Sequence, residues 1–528
     1  MRDEKIEKLL SFAGNEHRYQ YFVLGVFLFL WMNCNFMAVV LPYLEREPLI
    51  KYTDDSNITH VNESLTNEIC GKKYEIIERF GYSWVSEFGI ECNQFMIGLI
   101  GVFTFIGNTL GSVAFSIVTK FLKHKPILIL SSIGFSISIF TCTIVYSLEQ
   151  FYIIFISLCF VGLFGNLLCY SSLVISEEIV SSRRRSLFSS VINTGYGFCG
   201  IMYSFIFMYV QNWRYDFYIL IGLSLFLGIF IWLFIYDSPR IYIDNKDIEG
   251  TLYILNGIAK FNGKDEEFSK IQKSEEFKQL LKEIMDYNSN ESVEMKEIDN
   301  EKDNDNDNDN EDEANKELIS KDKENKKAEE INAFSSLKYP SLRYKFLILC
   351  IIWFGTRSTS NSISLSCKSL PGNYYFNIIF LFIFESIAYN VSGILINIEF
   401  LGRRGTLWSQ YFIIATIFIL LSFINFSVPV ELFLNYCARF CAAAIELVYW
   451  TYTLEVYPTP VRSLNFGINV TCGNIGSILS PLVYEYLPNW LFLSVFALLS
   501  IFHSILIYFL PETVGKPMVE SIEELVNK

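Results

Sequence analysis

Histidine and charged side chains are scarce in this 528-residue sequence. Asp, Glu, Lys and Arg make up 19% of it, against about 25% in an ordinary soluble protein. The four histidines have no metal-binding spacing, and the chain contains neither a Gly-x-x-x-x-Gly-Lys loop nor a basic patch interleaved with aromatics. These absences speak against a zinc site, ATP hydrolysis and a nucleic-acid partner. The sequence therefore predicts no enzymatic activity, no metal and no cofactor.

Long apolar runs are abundant, since 52% of the residues are hydrophobic and 16% are aromatic. Crossing about 30 Å of hydrocarbon takes about 20 apolar residues, and such a segment must be a helix because lipid offers no partner for backbone groups. Twelve such spans are predicted, six in each half of the chain: 19–41, 93–118, 126–147, 151–176, 187–209, 215–236, 345–366, 374–398, 405–427, 431–455, 464–487 and 489–510.

The predicted fold class is therefore an all-α membrane protein with two six-helix bundles, at 19–239 and 345–511. Lys and Arg are retained on the cytoplasmic side of a membrane, and they crowd the short loops on one side. That side carries Lys123, Arg184, Arg403 and Arg462. Both termini, 1–18 and 512–528, are expected to be cytoplasmic, and the loop 42–92 extracellular.

The predicted extracellular loop carries marks of an oxidising compartment. Asn57 and Asn62 begin two glycosylation sequons, and both are predicted glycan sites. Cys70 and Cys92 lie in the same loop and are a candidate disulfide.

The segment 240–344 between the halves is polar and contains the run "EKDNDNDNDNEDEANKE" at 301–317. A stretch with so few apolar residues cannot bury enough surface to fold. We expect a largely disordered cytoplasmic linker. Binding of a metal or of a basic partner by the acidic run is the alternative.

Short motifs lie at matching places in the two halves. "LGRRG", Leu401 to Gly405, follows Glu399 and resembles the loop motif of the major facilitator superfamily, whereas the corresponding "TKFLKHKP" has Thr119 where that family has an acid. "SEEIVSSRRRS" and "EVYPTPVRS" resemble further cytoplasmic loop motifs. The resemblance implies a fold that gates by rocking, with the gating residues Glu178, Arg185, Glu399, Arg403, Arg404, Glu455 and Arg462.

Four further stretches narrow the resemblance to the organic cation, anion and zwitterion transporters. They are "DSPRIYI", "KSLPGNYYFN", "GNIGSILSP" and "LPETVGKPMVESIEE". This likeness implies a secondary-active or facilitative plasma-membrane carrier of small organic ions or zwitterions, working by alternating access. A sugar porter and a transport-inactive receptor or scaffold of the same fold are the alternatives.

Charged residues inside the spans are the candidate substrate or coupling groups, because a charge at the bilayer centre costs about 3 kcal/mol or more. At 1.5 Å per residue, Arg357, Glu385 and Glu446 fall at similar depths, and Arg439 is two helical turns from Glu446. Two interpretations stay open, a salt-bridge network that holds the second bundle and a substrate or proton site between the halves. We predict an Arg357–Glu446 pair, with Glu446 or Glu385 as the proton candidate.

Polar and aromatic residues at mid-depth complete the candidate site. Asn474 stands where the family often has an acid in cation carriers and Arg in anion carriers, so this position does not decide the charge of the solute. Aromatic rings can bind cations, but in so aromatic a chain packing is their commoner role. The remaining candidates are Asn33, Asn166, Tyr196 and Trp450, with Tyr170 and Trp353 nearby. The expected partners are a small organic solute, the bilayer and a co-transported proton or cation.

Overall fold

The described part of the chain is almost entirely helical in the computed structural model. The structure describes residues 2–14, 16–46, 48–53, 59–62, 74–78, 83–119, 121–210, 212–244, 246–284, 339–366, 370–395, 401–457 and 459–513. The predicted sites Asn57, Cys70 and Glu399 lie outside these ranges, as do 285–338 of the predicted linker and 514–528 of the predicted tail.

The first bundle begins with a short helix outside the predicted spans, α1 (Arg2–Ala13). Its six spans are α2–α3 (Arg18–Cys34 and Phe36–Leu44), α5 (Gln94–Val118), α6 (His124–Thr143), α7 (Phe151–Glu178), α8 (Ser182–Val210) and α9 (Trp213–Phe234). The first span is broken at Asn35, whose side-chain amide donates to the Trp31 carbonyl at 2.9 Å. The Asn35 backbone N–H donates to the same carbonyl at 3.3 Å, so the side chain adds a second bond at the end of the first segment.

The second bundle consists of α13 (Pro340–Leu365), α14 (Tyr374–Leu395), α15 (Gly402–Phe423), α16 (Val428–Val456), α17 (Thr459–Tyr486) and α18 (Asn489–Tyr508). Across the two bundles, α5 packs on α17 and α8 packs on α14. These two helix pairs make up most of the described interface between the halves. Within the described residues, eleven helical segments are long and apolar enough to cross a membrane; α13, the remaining predicted span, is richer in polar residues.

A small sheet interrupts the all-α architecture in the loop after the first span. Strands β1 (Leu49–Thr53), β2 (Thr59–Asn62) and β3 (Tyr74–Glu78) lie in the order β2-β1-β3, both pairs antiparallel, with Lys51 opposite Val61 and Glu75. Helix α4 (Trp84–Phe88) returns the chain to the bundle. We call this end of the molecule the sheet end.

The opposite end, which we call the linker end, carries a helical cap that the disordered-linker prediction missed. Helices α10 (Pro239–Asp244), α11 (Ile248–Phe261) and α12 (Asp265–Gln272) are followed by a further helical stretch at 275–284. The prediction was wrong for this part because apolar residues recur at helical spacing among the charges, as Ile254, Leu255, Ile258 and Ala259 do. All four are at most 2% exposed.

The cap is fastened to the start of the chain. Lys5 and Lys8 of α1 pair with Glu283 and Glu276 at 2.9 and 2.7 Å. The Asn262 side chain accepts from the Tyr19 backbone N–H at 2.8 Å and donates to the carbonyls of Ala13 and Gly14, both at 3.0 Å. One amide thus joins the α1–α2 connection to the end of α11.

Candidate functional site

Two ion pairs lie inside the second bundle, and they use all four charged candidates. Arg439 Nη2 is 2.7 Å from Glu385 Oε2, and these side chains are 3% and 1% exposed. Arg357 pairs with Glu446, as the sequence predicts, but their side chains are 27% and 15% exposed. A charge in a low-dielectric interior is strongly favoured by an opposite charge. The difference in exposure separates a sealed pair from an accessible one.

Ser360 connects the two pairs. Arg439 Nη1 donates to the Ser360 carbonyl and hydroxyl oxygens at 2.8 and 3.1 Å. The hydroxyl in turn donates to Glu446 Oε2 at 3.5 Å, and Tyr389 donates to Glu385 Oε1 at 2.9 Å. The four charges are therefore one network that runs from α14 through α16 to α13.

The accessible pair lies against the first bundle. A Cβ added to Gly473 of α17 would be 3.0 Å from Arg357 Cγ, and the next residue, Asn474, reaches Ser112 of α5 in the first bundle at 3.5 Å. The Tyr196 ring of α8 meets the ring of Phe382 in α14 edge-on, with centroids 5.9 Å apart. The Arg357–Glu446 pair and Tyr196 thus lie where the two halves meet.

An aromatic wall flanks Arg357 within the second bundle. Its guanidinium carbon is 5.9 Å from the Trp450 ring centroid, and Trp450 packs on Trp353 and Phe466 at 5.4 and 5.3 Å. Such rings stabilise a cation by about 0.5–2 kcal/mol. Trp450 thus contacts the protein's own cation, which the sequence did not predict.

The asparagine candidates fall in two places. Asn474 Nδ2 in α17 donates to the Ser112 hydroxyl in α5 at 3.5 Å, across the interface, and Asn166 Nδ2 in α7 reaches the same hydroxyl at 3.3 Å. Asn33 is fully buried within the first bundle. The structure therefore brings Asn474 and Asn166 together and sets Asn33 apart.

The linker end of the second bundle holds the predicted gating residues. Arg403 pairs with Glu455 at 2.9 Å, and Thr513 donates to Glu455 at 2.6 Å. Glu512, which the sequence did not single out as a gating residue, accepts the backbone N–H groups of Arg403 and Arg404, both at 3.0 Å. The Leu510 carbonyl also accepts from Arg404 at 3.3 Å. This cluster fixes the start of α15 to the ends of α16 and α18.

The corresponding cluster of the first bundle uses a different acid. Thr119 donates to the Phe115 carbonyl of its own helix at 2.8 Å, whereas Asp237, after α9, accepts the Lys125 backbone N–H at 3.3 Å. Burial raises the pKa of Asp237, and backbone N–H groups of Ser238 and Lys125 oppose that rise. Asp237 thus corresponds to Glu512 of the second bundle, since each carboxylate accepts a backbone N–H at the start of a helix.

The remaining predicted pairs stay predictions. Glu178 is the last residue of α7, but the side chains of Arg185, Arg462 and Asn62 are outside the description. Cys92 is disulfide-bonded, and its predicted partner Cys70 is not among the described residues.

The two halves touch at the sheet end. Tyr374 of α14 donates to the Pro42 carbonyl of α3, and Arg46 covers the Tyr374 ring at 4.1 Å. Gly101 of α5 lies so close to Pro481 of α17 that an added Cβ would be 2.5 Å from its Cγ. These contacts therefore close the sheet end between the two halves.

These features, two helical bundles around a paired charge at their interface, define a membrane transporter. The chain matches the Major Facilitator Superfamily over residues 19–481, and it belongs to that superfamily. Its fold is also similar to that of the xylose transporter XylE from E. coli, solved in an inward open conformation, with a TM-score of 0.61, 13% identity and 99% coverage of both chains.

Sequence relatives confirm the narrower resemblance to organic cation, anion and carnitine transporters. Solute carrier family 22 member 15-like of Xenopus tropicalis is 25% identical over 94% of this chain and 90% of that protein. Organic cation/carnitine transporter 2 of Rattus norvegicus is 25% identical over 80% and 68%. Solute carrier family 22 member 6 of Oryctolagus cuniculus is 25% identical over 92% and 79%. These relatives are transporters rather than enzymes.

Proposed function

We propose that this protein carries small organic ions or zwitterions across the plasma membrane by alternating access, with the Arg357–Glu446 pair in the solute path. The observation that carries the proposal is the partial exposure of this pair at the bundle interface. The names of its relatives support organic ions as the solute class. The linker end is the cytoplasmic side in this proposal.

The exposure of the two pairs assigns them different tasks. An ion pair sealed from water is costly to open, because each separated charge would lie unpaired in a low dielectric. The Arg439–Glu385 pair therefore holds the second bundle together. The Arg357–Glu446 pair is open to exchange with a charged solute or a proton, which makes Glu446 the preferred coupling carboxylate.

Alternating access requires contacts that break as the halves rock. The Tyr374–Pro42 hydrogen bond and the Gly101–Pro481 approach close the sheet end. The Arg403–Glu455 pair and Glu512 lie at the linker end, and both fasten elements within the second bundle. In this proposal the sheet-end contacts separate when the solute site opens outward, while each bundle moves as a unit.

Uptake into cells that express the protein tests the proposal. An organic cation, an organic anion and a carnitine-like zwitterion are compared at two external pH values, with the membrane potential intact or collapsed. We expect saturable uptake of at least one class, lost in Glu446→Gln and retained in Glu431→Gln, an acid in the first turn of the same helix. No saturable uptake of any class by protein confirmed at the surface would favour the receptor or scaffold alternative.

A further inference from the structure

Ser112 of α5 is the point at which polar groups from both halves converge. Its hydroxyl donates to the Asn108 carbonyl of its own helix at 3.0 Å. Around the hydroxyl oxygen lie Asn166 Nδ2 at 3.3 Å, Asn474 Nδ2 at 3.5 Å and Tyr170 Oη at 3.3 Å. The first and third belong to the first bundle, and Asn474 belongs to the second.

The Ser112 oxygen is approached by more donors than it can accept. A serine oxygen has two lone pairs, and with its proton on the Asn108 carbonyl it faces the two amide groups and the tyrosine hydroxyl. Asn166 also donates to the Asn108 carbonyl, so both lone pairs of that oxygen are used as well. Each added donor must therefore share an acceptor that is already taken.

The distances agree with this shortage. Ordinary N–H···O bonds span about 2.7–3.2 Å and O–H···O bonds about 2.5–3.0 Å. The three approaches to Ser112 Oγ, at 3.3, 3.5 and 3.3 Å, are all longer. Tyr170 and Asn474 are consequently held near a poor acceptor and would bond better to a stronger one, while Asn166 has one good bond, to the Asn108 carbonyl, and one N–H that faces Ser112.

Positive charge lies next to these donors. A Cβ added to Gly473, the residue before Asn474, would be 3.0 Å from Arg357 Cγ, so the arginine side chain runs along α17 at this level. The ion pair of Arg357 with Glu446 uses Nη1, and a guanidinium has five N–H donors.

We propose that Tyr170, Asn474 and Asn166, with the Arg357 charge beside them, form a binding subsite for the oxyanion end of the solute, a carboxylate or a sulfonate. An oxyanion supplies several strong acceptor positions and forms shorter, charge-assisted hydrogen bonds of about 2.7–2.9 Å. Because its donors come from α7 and α17, the bound group would bridge the two halves. The inference rests on the proposed transport function and assigns one end of its solute.

The subsite gives the neutral Asn474 a role. A charge at this position would select a solute by sign alone, whereas Asn474 contributes an amide donor and leaves the charge to Arg357 one helix away. The solute's remaining part is then free to be neutral or cationic near Glu446.

Ligand binding by the purified full-length protein tests the subsite directly. Three probes share one carbon frame: 4-phenylbutanoate, 4-phenylbutanamide and 4-phenylbutylammonium. Their affinities follow from the rise of the thermal unfolding midpoint with concentration. We expect the butanoate to bind at least about tenfold more tightly than the other two, since hydrogen bonds to a charged group are the stronger kind.

Substitutions test the donors and their shared acceptor, Ser112, separately. Tyr170→Phe and Asn474→Ala should each weaken butanoate binding roughly tenfold, and Asn474→Asp should reverse the preference toward the ammonium probe. Ser112→Ala removes the acceptor that the donors share and should leave butanoate binding at least as tight. Ser136→Ala is the matched control, because this hydroxyl bonds the Ser132 carbonyl of its own helix at 2.8 Å.

Three results would overturn the subsite: equal affinity for all probes, tighter binding of the ammonium, or no stabilisation by any probe at about 10 mM, where even millimolar affinity would register. Unchanged butanoate binding in both donor variants would do the same. Saturable uptake with no preference for oxyanions would contradict the subsite but support the proposed transport function. Selective binding of the butanoate without any uptake would support the subsite but contradict the proposed transport function.

Discussion

Arg439 and Glu385 form a two-point contact, with Nη2 and Nε of the guanidinium 2.7 and 3.1 Å from the same carboxylate oxygen. The other oxygen accepts from Tyr389 at 2.9 Å. Since both side chains are almost completely buried, either charge alone would be left in a medium that cannot solvate it.

Removing one member of this sealed pair should therefore damage the protein more than removing both. Breaking a buried pair by deleting one partner costs about 3–5 kcal/mol, whereas an apolar replacement of both partners is often neutral. We expect Arg439→Leu and Glu385→Leu each to lower the thermal unfolding midpoint sharply and the double variant to recover part of the loss. A double variant less stable than either single variant would contradict this.

The accessible pair should separate stability from transport. Arg357→Ala, Glu446→Ala and the double variant are each expected to lose uptake, because the solute path needs both charges. Surface expression should be lowest in one of the single variants, since the remaining charge is unpaired there. The measurements are surface labelling and uptake in the same cells, and poorer surface expression of the double than of both singles would refute the pairing.

Gly402, which lies against the Glu512 side chain, should be sensitive to the addition of a single methyl group. Gly402 has a φ of +62°, a conformation that side chains disfavour, and an added Cβ would be 2.5 Å from Glu512 Oε2. Gly402→Ala should lower the unfolding midpoint and the uptake rate. Gly405→Ala is the control, since a Cβ there meets its nearest atom, in the Leu401 side chain, only at 3.9 Å; equal effects of the two changes would count against a special role for Gly402.

Asn262 should control how firmly the first helix is held. Asn262→Ala removes one acceptor and one donor group that serve three backbone groups, each hydrogen bond contributing about 1 kcal/mol. We expect faster backbone hydrogen exchange across α1 in this variant. Lys8→Ala is the control, because its exposed pair with Glu276 contributes only about 0–1 kcal/mol, and similar exchange in the two variants would show that Asn262 is not the main fastening.

The positions of the spans and the Arg357–Glu446 pair follow from the sequence because lipid restricts the choices. A helix is the only spanning element open to these runs, and the few charges within them must find one another. The pairing of Arg439 with Glu385 could not be predicted, since spacing in the sequence gives the depth of a residue in the membrane but not the rotation of its helix about its own axis. Ser360 and Ser112 had no signal, because a serine in a helix commonly bonds its own backbone.

The helical cap at the linker end was missed for a different reason. Its apolar residues are diluted among charges, and the acidic run nearby dominates the composition of the segment. The helical spacing of apolar residues in 248–261 was the available signal for a helix. The sequence does not say what the apolar face of this helix packs against, and the structure shows that it packs against α1.

The Asn262 fastening also bears on how this gene can change over generations. The alternating Asp–Asn run at 303–310 is a short tandem repeat, the kind of tract in which copying errors add or remove units. The described helices before it end at 284, and the chain is described again from 339. Asn262 anchors the helices that precede this run to the start of the chain. Natural variants are therefore expected to differ in the number of Asp–Asn units while keeping Asn262.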